Sequence, residues 1–149
     1  MNWARWIATG VPVGLLGGAL AFEYWGGLVA CEYCWWQRYA LIAALLFALA
    51  GWGLPAKRAL LLLAALSLGL SALLGLYHAG VEYHWWRGLT RCSTVMTISH
   101  SDPLASIMAT PSIRCDEPQW SLFGLSLAGY NFLISGAAAL MIARLIRRG

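Results

Sequence analysis

Four long apolar runs constrain the fold of this chain more than any other feature of its sequence. They cover about Trp6–Tyr24, Trp35–Leu54, Ala59–Tyr77 and Trp120–Ala143. Each is close to the roughly 20 residues that cross the hydrocarbon core of a bilayer. The runs are continuous and rich in leucine and alanine, whereas the strands of a membrane barrel alternate apolar and polar residues. The sequence therefore predicts an all-α membrane protein, a single four-transmembrane-helix bundle over residues 1–149.

The composition agrees with a chain that lies in lipid. Only 11% of the residues are charged, whereas a soluble domain carries about 25%. The first run could be mistaken for a secretory signal peptide. Its apolar stretch, 7–22, is longer than the roughly 7–15 residues usual for that segment, so we predict that the run is retained as a helix.

The basic residues predict the orientation of the bundle. Six of them lie before the first run, between the second and third runs, and after the fourth: Arg5, Lys57, Arg58, Arg144, Arg147 and Arg148. All six acidic residues lie on the opposite side. Because basic loops stay inside, we predict that both termini are cytoplasmic and that loop 78–119 is outside, which is the periplasm in a bacterium. The net charge of +4 then reflects topology, and no nucleic-acid partner is predicted.

The four cysteines all fall on the predicted outer side. Cys31 and Cys34 form Cys-Glu-Tyr-Cys just before the second run, and Cys92 and Cys115 lie in the long loop. A dithiol at a helix start gains thiolate character from the helix dipole, and the thiolate is the nucleophile of disulfide exchange. Four cysteines allow three pairings. Spacing alone leaves a stabilising disulfide or a zinc site open for the loop pair, but the wide spacing and oxidising compartment disfavour zinc.

Two basic side chains are candidates for the same site. Arg38 follows Cys34 by four residues, so a helix places both on one face. A permanent positive charge there favours the thiolate and donates hydrogen bonds, although a terminal arginine can also reach the lipid headgroups. His78 lies at the predicted outer end of the third helix, where it can share a pocket with Arg38 or act as an interfacial hydrogen-bonding residue. In the loop, 104–108 is predicted to form one short apolar turn on the membrane surface.

The chain resembles the DsbB family of bacterial inner-membrane proteins that form disulfide bonds. The resemblance is carried by Cys-Glu-Tyr-Cys-Trp-Trp-Gln-Arg at 31–38, by the single loop cysteines Cys92 and Cys115, and by Trp-Ser-Leu-Phe-Gly-Leu at 120–125. Together these motifs span nearly the whole chain, and their combination is far more specific than Cys-x-x-Cys alone.

The resemblance implies a relay of disulfides. A periplasmic thioredoxin-like oxidase of the DsbA type attacks Cys92 of a Cys92–Cys115 disulfide, and the freed Cys115 exchanges with Cys31. Cys34 then faces a membrane quinone, ubiquinone or menaquinone, which takes the electrons. Arg38 matches the family arginine beside the quinone, and His78 approximately matches a family histidine near it. No metal is implied.

Two other functions fit parts of the sequence. One is a non-enzymatic four-helix membrane scaffold whose outer loop is held by structural disulfides. The other is a quinone reductase of the vitamin K epoxide reductase type, which also combines four helices, a dithiol and a quinone. That family carries its Cys-x-x-Cys near the end of the bundle, whereas here the motif precedes the second helix.

The predicted topology can be tested by labelling. After mild reduction of intact cells, a membrane-impermeant thiol reagent should modify Cys92 or Cys115, because their loop lies outside. Protection of both thiols until the inner membrane is breached would reverse the orientation.

Overall fold

The computed structural model of the protein describes residues 2–90, 104 and 114–148. The long helices of this part of the chain are α1 (Asn2–Tyr24), α2 (Glu32–Gly53), α3 (Lys57–Glu82) and α4 (Leu127–Arg148). A hairpin of β1 (Ser121–Leu122) and β2 (Leu125–Ser126), paired antiparallel, precedes α4. All four helices are long and apolar enough to cross a membrane. The prediction of an all-α, four-helix membrane protein is confirmed.

Helix α3 is the central element of the bundle. It packs along both α2 and α4, while α1 packs mainly against α2 and α4. The core between the helices contains many alanines, among them Ala8, Ala44 and Ala64, which are fully buried. Small residues allow helix backbones to approach closely in a membrane, where apolar side chains gain little by leaving lipid. Many large apolar side chains, such as Leu66 and Leu73, instead face outwards.

The N-terminal end of α2 and the C-terminal end of α3 extend beyond the predicted limits. Helix α2 begins at Glu32 rather than at about Trp35, because Cys31 caps it. Helix α3 continues to Glu82 instead of ending at about Tyr77. Its last turns remain buried against the rest of the protein, and this burial extends the helix through His78.

The predicted start of the fourth helix is wrong. We expected the helix from about Trp120, but it begins at Leu127, after the hairpin. Phe123 and Gly124 both have positive φ, 51° and 77°, as the two central residues of a type I′ hairpin turn require. The hydroxyl of Tyr83 donates to the Gly124 carbonyl at 2.8 Å and accepts from the Ser126 N–H at 2.9 Å. Hydropathy alone could not reveal this turn within an apolar run.

The predicted surface turn at 104–108 falls largely outside the described residues. Within it, the structure describes only Leu104, which is helical and exposed. Cys92 also lies outside the described residues.

Helices α3 and α4 approach each other closely at Gly75. A Cβ atom there would lie 2.9 Å from the Ala128 carbonyl oxygen and 3.0 Å from the Phe132 nitrogen. Because both are backbone atoms, Gly75→Ala should force the helices apart and cost about 1–3 kcal/mol. We expect a lower thermal unfolding midpoint in detergent.

A matched control is available on the same helix. A Cβ at Gly69 meets nothing within 4 Å, so Gly69→Ala should be neutral or stabilising, by roughly 0.5–1 kcal/mol from helix propensity. Equal unfolding midpoints for the two variants would contradict the close approach at Gly75.

Candidate active site

The cysteine pair of the Cys-x-x-Cys motif lies at the first turn of α2. Cys31 is the N-cap, and its Sγ accepts a hydrogen bond from the Cys34 N–H at 3.3 Å. The two sulfur atoms are 2.8 Å apart, and both cysteines are free thiols. The unpaired N–H groups and positive dipole end of the helix favour negative charge at this position. The local sequence thus builds a reduced dithiol where one sulfur can ionise.

The two thiols have different surroundings. Cys31 is only 3% exposed, and it lies just outside the span of α2. The hydrogen bond with the Cys34 sulfur, together with burial, raises the pKa of the Cys31 thiol. Cys31 is therefore the thiol that holds its proton, and donors on its sulfur are needed to help it ionise.

Cys115 is distant from this pair in the sequence but packs next to it in the structure. It is disulfide-bonded and fully buried, and it belongs to the same buried cluster as Cys31, Tyr33 and Val81, against which Cys34 packs. The structure therefore brings together three of the four predicted redox cysteines. A disulfided cysteine next to a free dithiol is the arrangement from which thiol–disulfide exchange can start.

Two sets of contacts hold the Cys115 segment in place. The side chain of Gln119 accepts from the Val29 N–H at 2.9 Å and donates to the Val29 carbonyl at 2.7 Å, which ties it to the residues before Cys31. Arg114 donates to both carboxylate oxygens of Asp116, at 3.1 and 2.8 Å. These hydrogen bonds lower the pKa of Asp116.

Arg38 is buried beside the dithiol, as its helical spacing predicted. Its guanidinium forms an ion pair with Glu23 of α1 at 2.6 Å and lies 5.0 Å from the ring centroid of Trp35. Only 9% of the Arg38 side chain is exposed. A buried guanidinium needs a partner of this kind. Glu23 is thus the residue that orients Arg38.

His78 lies between the dithiol and a buried polar network. Its Nε2 is 3.6 Å from the Cys31 Sγ and 3.6 Å from Glu82 Oε1. Its Nδ1 is 3.1 Å from the Gln37 Nε2. The extension of α3 beyond its predicted end places this ring inside the bundle rather than at the interface.

Residues missed by the sequence reasoning complete the network. Asn131 Nδ2 donates to Gln37 Oε1 at 2.7 Å and to the Ser71 carbonyl at 3.1 Å. Ser135 Oγ donates to Asn131 Oδ1 at 2.9 Å. All four side chains are buried. Their signal in the sequence was the presence of polar groups inside apolar runs, which marks functional candidates in membrane proteins.

A cavity of about 350 Å³ opens beside the dithiol. Its polar lining includes Cys31, Cys34, Arg38 and His78, while much of the remaining wall is apolar. Part of the α1 wall is made by Gly14, Gly18 and Ala19. The volume lies in the range of small-molecule sites, which are about 300–1,000 Å³ and mostly apolar.

The described ligand atoms also permit a test for metal. The donor atoms of Cys31, Cys34 and His78 lie within 4.8 Å of one another. Two thiolates on a tetrahedral zinc ion, with Zn–S near 2.3 Å, are about 3.8 Å apart, whereas these sulfurs are 2.8 Å apart. The geometry is that of a hydrogen-bonded dithiol, and it fits the predicted redox chemistry better than a bound metal.

Comparison with known proteins identifies the family. The sequence model of the family described as "Disulfide bond formation protein DsbB" matches residues 1–145. The chain belongs to the DsbB family. It is 29% identical over 150 residues to disulfide bond formation protein B of Actinobacillus pleuropneumoniae serotype 5b, covering 95% of this chain and 83% of that relative. No solved structure matches the chain.

Two further relatives carry the same name. Disulfide bond formation protein B of Verminephrobacter eiseniae is 33% identical over 92% of this chain and 81% of the relative. That of Aromatoleum aromaticum is 34% identical over 90% of this chain and 87% of the relative. Membership of the DsbB family and the four apolar helices make this a multi-pass membrane protein of disulfide bond formation.

Proposed function

We propose that this DsbB-family protein is a dithiol:quinone oxidoreductase of the bacterial inner membrane. It reoxidises a periplasmic thioredoxin-like oxidase of the DsbA type and passes the electrons to ubiquinone or menaquinone. The observation that carries the proposal is the free Cys31–Cys34 pair, which lies between a disulfided cysteine and an apolar cavity. The family supports the disulfide chemistry, and the cavity supports a membrane-soluble electron acceptor.

The first step is exchange in the outer loop. A thiolate of the reduced partner attacks Cys92 of the Cys92–Cys115 disulfide, and Cys115 leaves as a thiolate. The second thiol of the partner then displaces Cys92 and completes the partner's own disulfide. The partner has lost two electrons, and the loop pair has become a dithiol.

The second step moves the electron pair to α2. The Cys115 thiolate attacks Cys31 of an oxidised Cys31–Cys34 pair, and Cys34 leaves as a thiolate at the helix N-terminus. Cys92 then displaces Cys31, so the loop disulfide is restored and the dithiol of α2 is reduced. The buried packing of Cys115 against Cys31 supports this order.

The cavity beside Cys34 fits the head group of a quinone. A flat ring with two carbonyl oxygens needs apolar walls and hydrogen-bond donors. Arg38 supplies such donors, and His78 also lines the cavity. A bound quinone supplies an acceptor for two electrons and two protons. Arg38 holds a fixed positive charge beside Cys34, stabilising its thiolate and any charge that develops on a carbonyl oxygen. Closure of the Cys31–Cys34 disulfide resets the protein.

The order of exchange predicts a trapped complex. A partner whose second cysteine is replaced by alanine should remain joined to Cys92 in a mixed disulfide, because its first thiol attacks the Cys92–Cys115 disulfide and the thiol that would displace Cys92 is absent. Non-reducing electrophoresis followed by mass spectrometry locates the bond. The partner with both cysteines serves as the control and should not accumulate the complex at Cys92. Trapping of the partner only at Cys31 or Cys34 would make the proposed order wrong.

Replacement of Arg38 tests the quinone step. Arg38→Lys keeps the charge but loses the planar set of donors, and one charged hydrogen bond is worth about 1.5–3 kcal/mol, roughly ten- to a hundredfold. With reduced partner and added quinone under anaerobic conditions, we expect a higher KM for quinone or a slower quinone reduction. Trapping at Cys92 should be unchanged.

A matched control separates a role in the cavity from any general effect of replacing an arginine by lysine. Arg87 is exposed and does not line the cavity, so Arg87→Lys should leave quinone kinetics unchanged. Normal quinone kinetics with impaired trapping in Arg38→Lys would place Arg38 outside the quinone site. Failure of the wild-type protein to reduce any quinone would overturn the proposed function and favour a structural role for the disulfides.

A further inference from the structure

The chain of buried amides between α4 and α3 has a defined direction. Asn131 Nδ2 donates to the Ser71 carbonyl at 3.1 Å, and a carbonyl can only accept. The other hydrogen of the same Nδ2 meets Gln37 Oε1 at 2.7 Å. A backbone group thus fixes which end of the Asn131 amide carries the nitrogen, and the assignment passes on to Gln37.

A second backbone carbonyl fixes Gln37 independently. Gln37 Nε2 donates to the Tyr33 carbonyl at 3.1 Å, and its remaining hydrogen points to His78 Nδ1 at 3.1 Å. Turning the Gln37 amide around would place oxygen against the oxygen of Tyr33 and nitrogen against the nitrogen of Asn131. Because Gln37 donates at this contact, His78 Nδ1 must be the acceptor and carry no proton.

The opposite nitrogen of His78 faces groups that can accept a hydrogen bond. Nε2 lies 3.6 Å from both the Cys31 Sγ and Glu82 Oε1. A neutral imidazole with a bare Nδ1 carries its proton on Nε2. The Nε2–H of the ring therefore points towards the contact between Cys31 and Cys115.

We propose that Gln37 and Asn131 are positioning residues that hold His78 as the neutral Nε2–H tautomer, so that this N–H donates to the Cys31 sulfur. His78 then acts as a hydrogen-bond donor to a developing thiolate and not as a base. Together with the Cys34 N–H, it opposes the burial that keeps Cys31 protonated. The inference rests on the proposed function only for the redox role of Cys31.

Other charged groups also lie near Cys31 and act on its ionisation. Those that line the same cavity are Glu23 of α1, Arg38 of α2, Glu82 of α3, and Arg114 and Glu117 before the hairpin. Glu82 and Arg38 are the buried ones. Because these groups remain in every variant below, differences among the variants report the His78 contact itself.

Nitrogen NMR of the histidine rings measures the tautomer directly. In protein labelled with ¹⁵N-histidine and reduced at Cys31–Cys34, the His78 signals are those that disappear in His78→Gln. We expect a protonated Nε2 and a bare Nδ1. Gln37→Glu places an acceptor against Nδ1, so Nδ1 should gain a proton.

Ser135→Ala is the matched control for this measurement. Ser135 donates to the oxygen of Asn131, outside the path of donors that leads to His78, so the variant should keep the wild-type pattern. A protonated Nδ1 in the wild-type protein, or a bare Nδ1 in Gln37→Glu, would overturn the proposal.

A pair of substitutions at His78 separates donation from proton exchange. The amide nitrogen of glutamine can reach the position of Nε2, whereas asparagine reaches only that of Nδ1. The Cys31 alkylation rate is followed against pH in a chain whose three other cysteines are serine. With His78→Gln the midpoint should stay near that of the parent. With His78→Asn it should rise by about one pH unit, the tenfold loss of thiolate expected when one hydrogen bond to a charged atom is removed.

Each outcome of the alkylation experiment decides the matter. An equal rise in both variants would show that His78 acts by exchanging or carrying a proton, and no rise in either would show that it does not act on Cys31. Neither readout needs quinone or a partner protein. If the protein reduced no quinone, the NMR and alkylation results could still be as expected. If instead the NMR and alkylation results contradicted the inference, quinone reduction could still occur.

Discussion

The hydrogen bond between Asn131 and Gln37 is the contact on which the arrangement of the cysteine-bearing half of the bundle depends. It joins α4 to α2 across 94 residues of sequence, and both side chains are buried in the bundle. A lost polar partner in such a place costs more than in water, because the orphaned group has nowhere else to bond. The close approach of α3 and α4 at Gly75 puts Asn131 within reach of Ser71 and Gln37. The buried polar groups can therefore form their hydrogen bonds only because small residues let the helices pack closely.

The dithiol site is built from helix ends and held in place by side chains from several elements. Cys31 supplies the cap of α2, so the sulfur that helps to start the helix also belongs to the free dithiol. Arg38 is held by Glu23 from α1, and the Cys115 segment is fastened to Val29 by Gln119. Each reactive group is thus positioned by a different element, and the site exists only when the bundle is assembled.

The sequence predicted the parts of the fold that depend on hydropathy and the parts of the site that depend on local spacing. The four apolar runs became helices, and Arg38 lies where a spacing of four residues from Cys34 places it. The start of α4 was missed because the Phe123–Gly124 turn is encoded by backbone conformation within an apolar stretch. The partnership of Gln37 with Asn131, and that of Glu23 with Arg38, could not be predicted, since each needs the relative rotation of two helices that no local pattern specifies.

The wall that α1 gives to the cavity has a consequence of its own. A Cβ atom at Gly14 or Gly18 would meet nothing within 4 Å. The cavity is therefore wide at this wall because glycine has no side chain to fill it. Neither glycine belongs to the hydrogen-bonded groups around the sulfurs. The size of molecule that the cavity admits can therefore change through α1 while the thiol chemistry on α2 stays the same. Within one fold, the shape of the cavity and the reactivity of the dithiol are separate properties, free to vary independently.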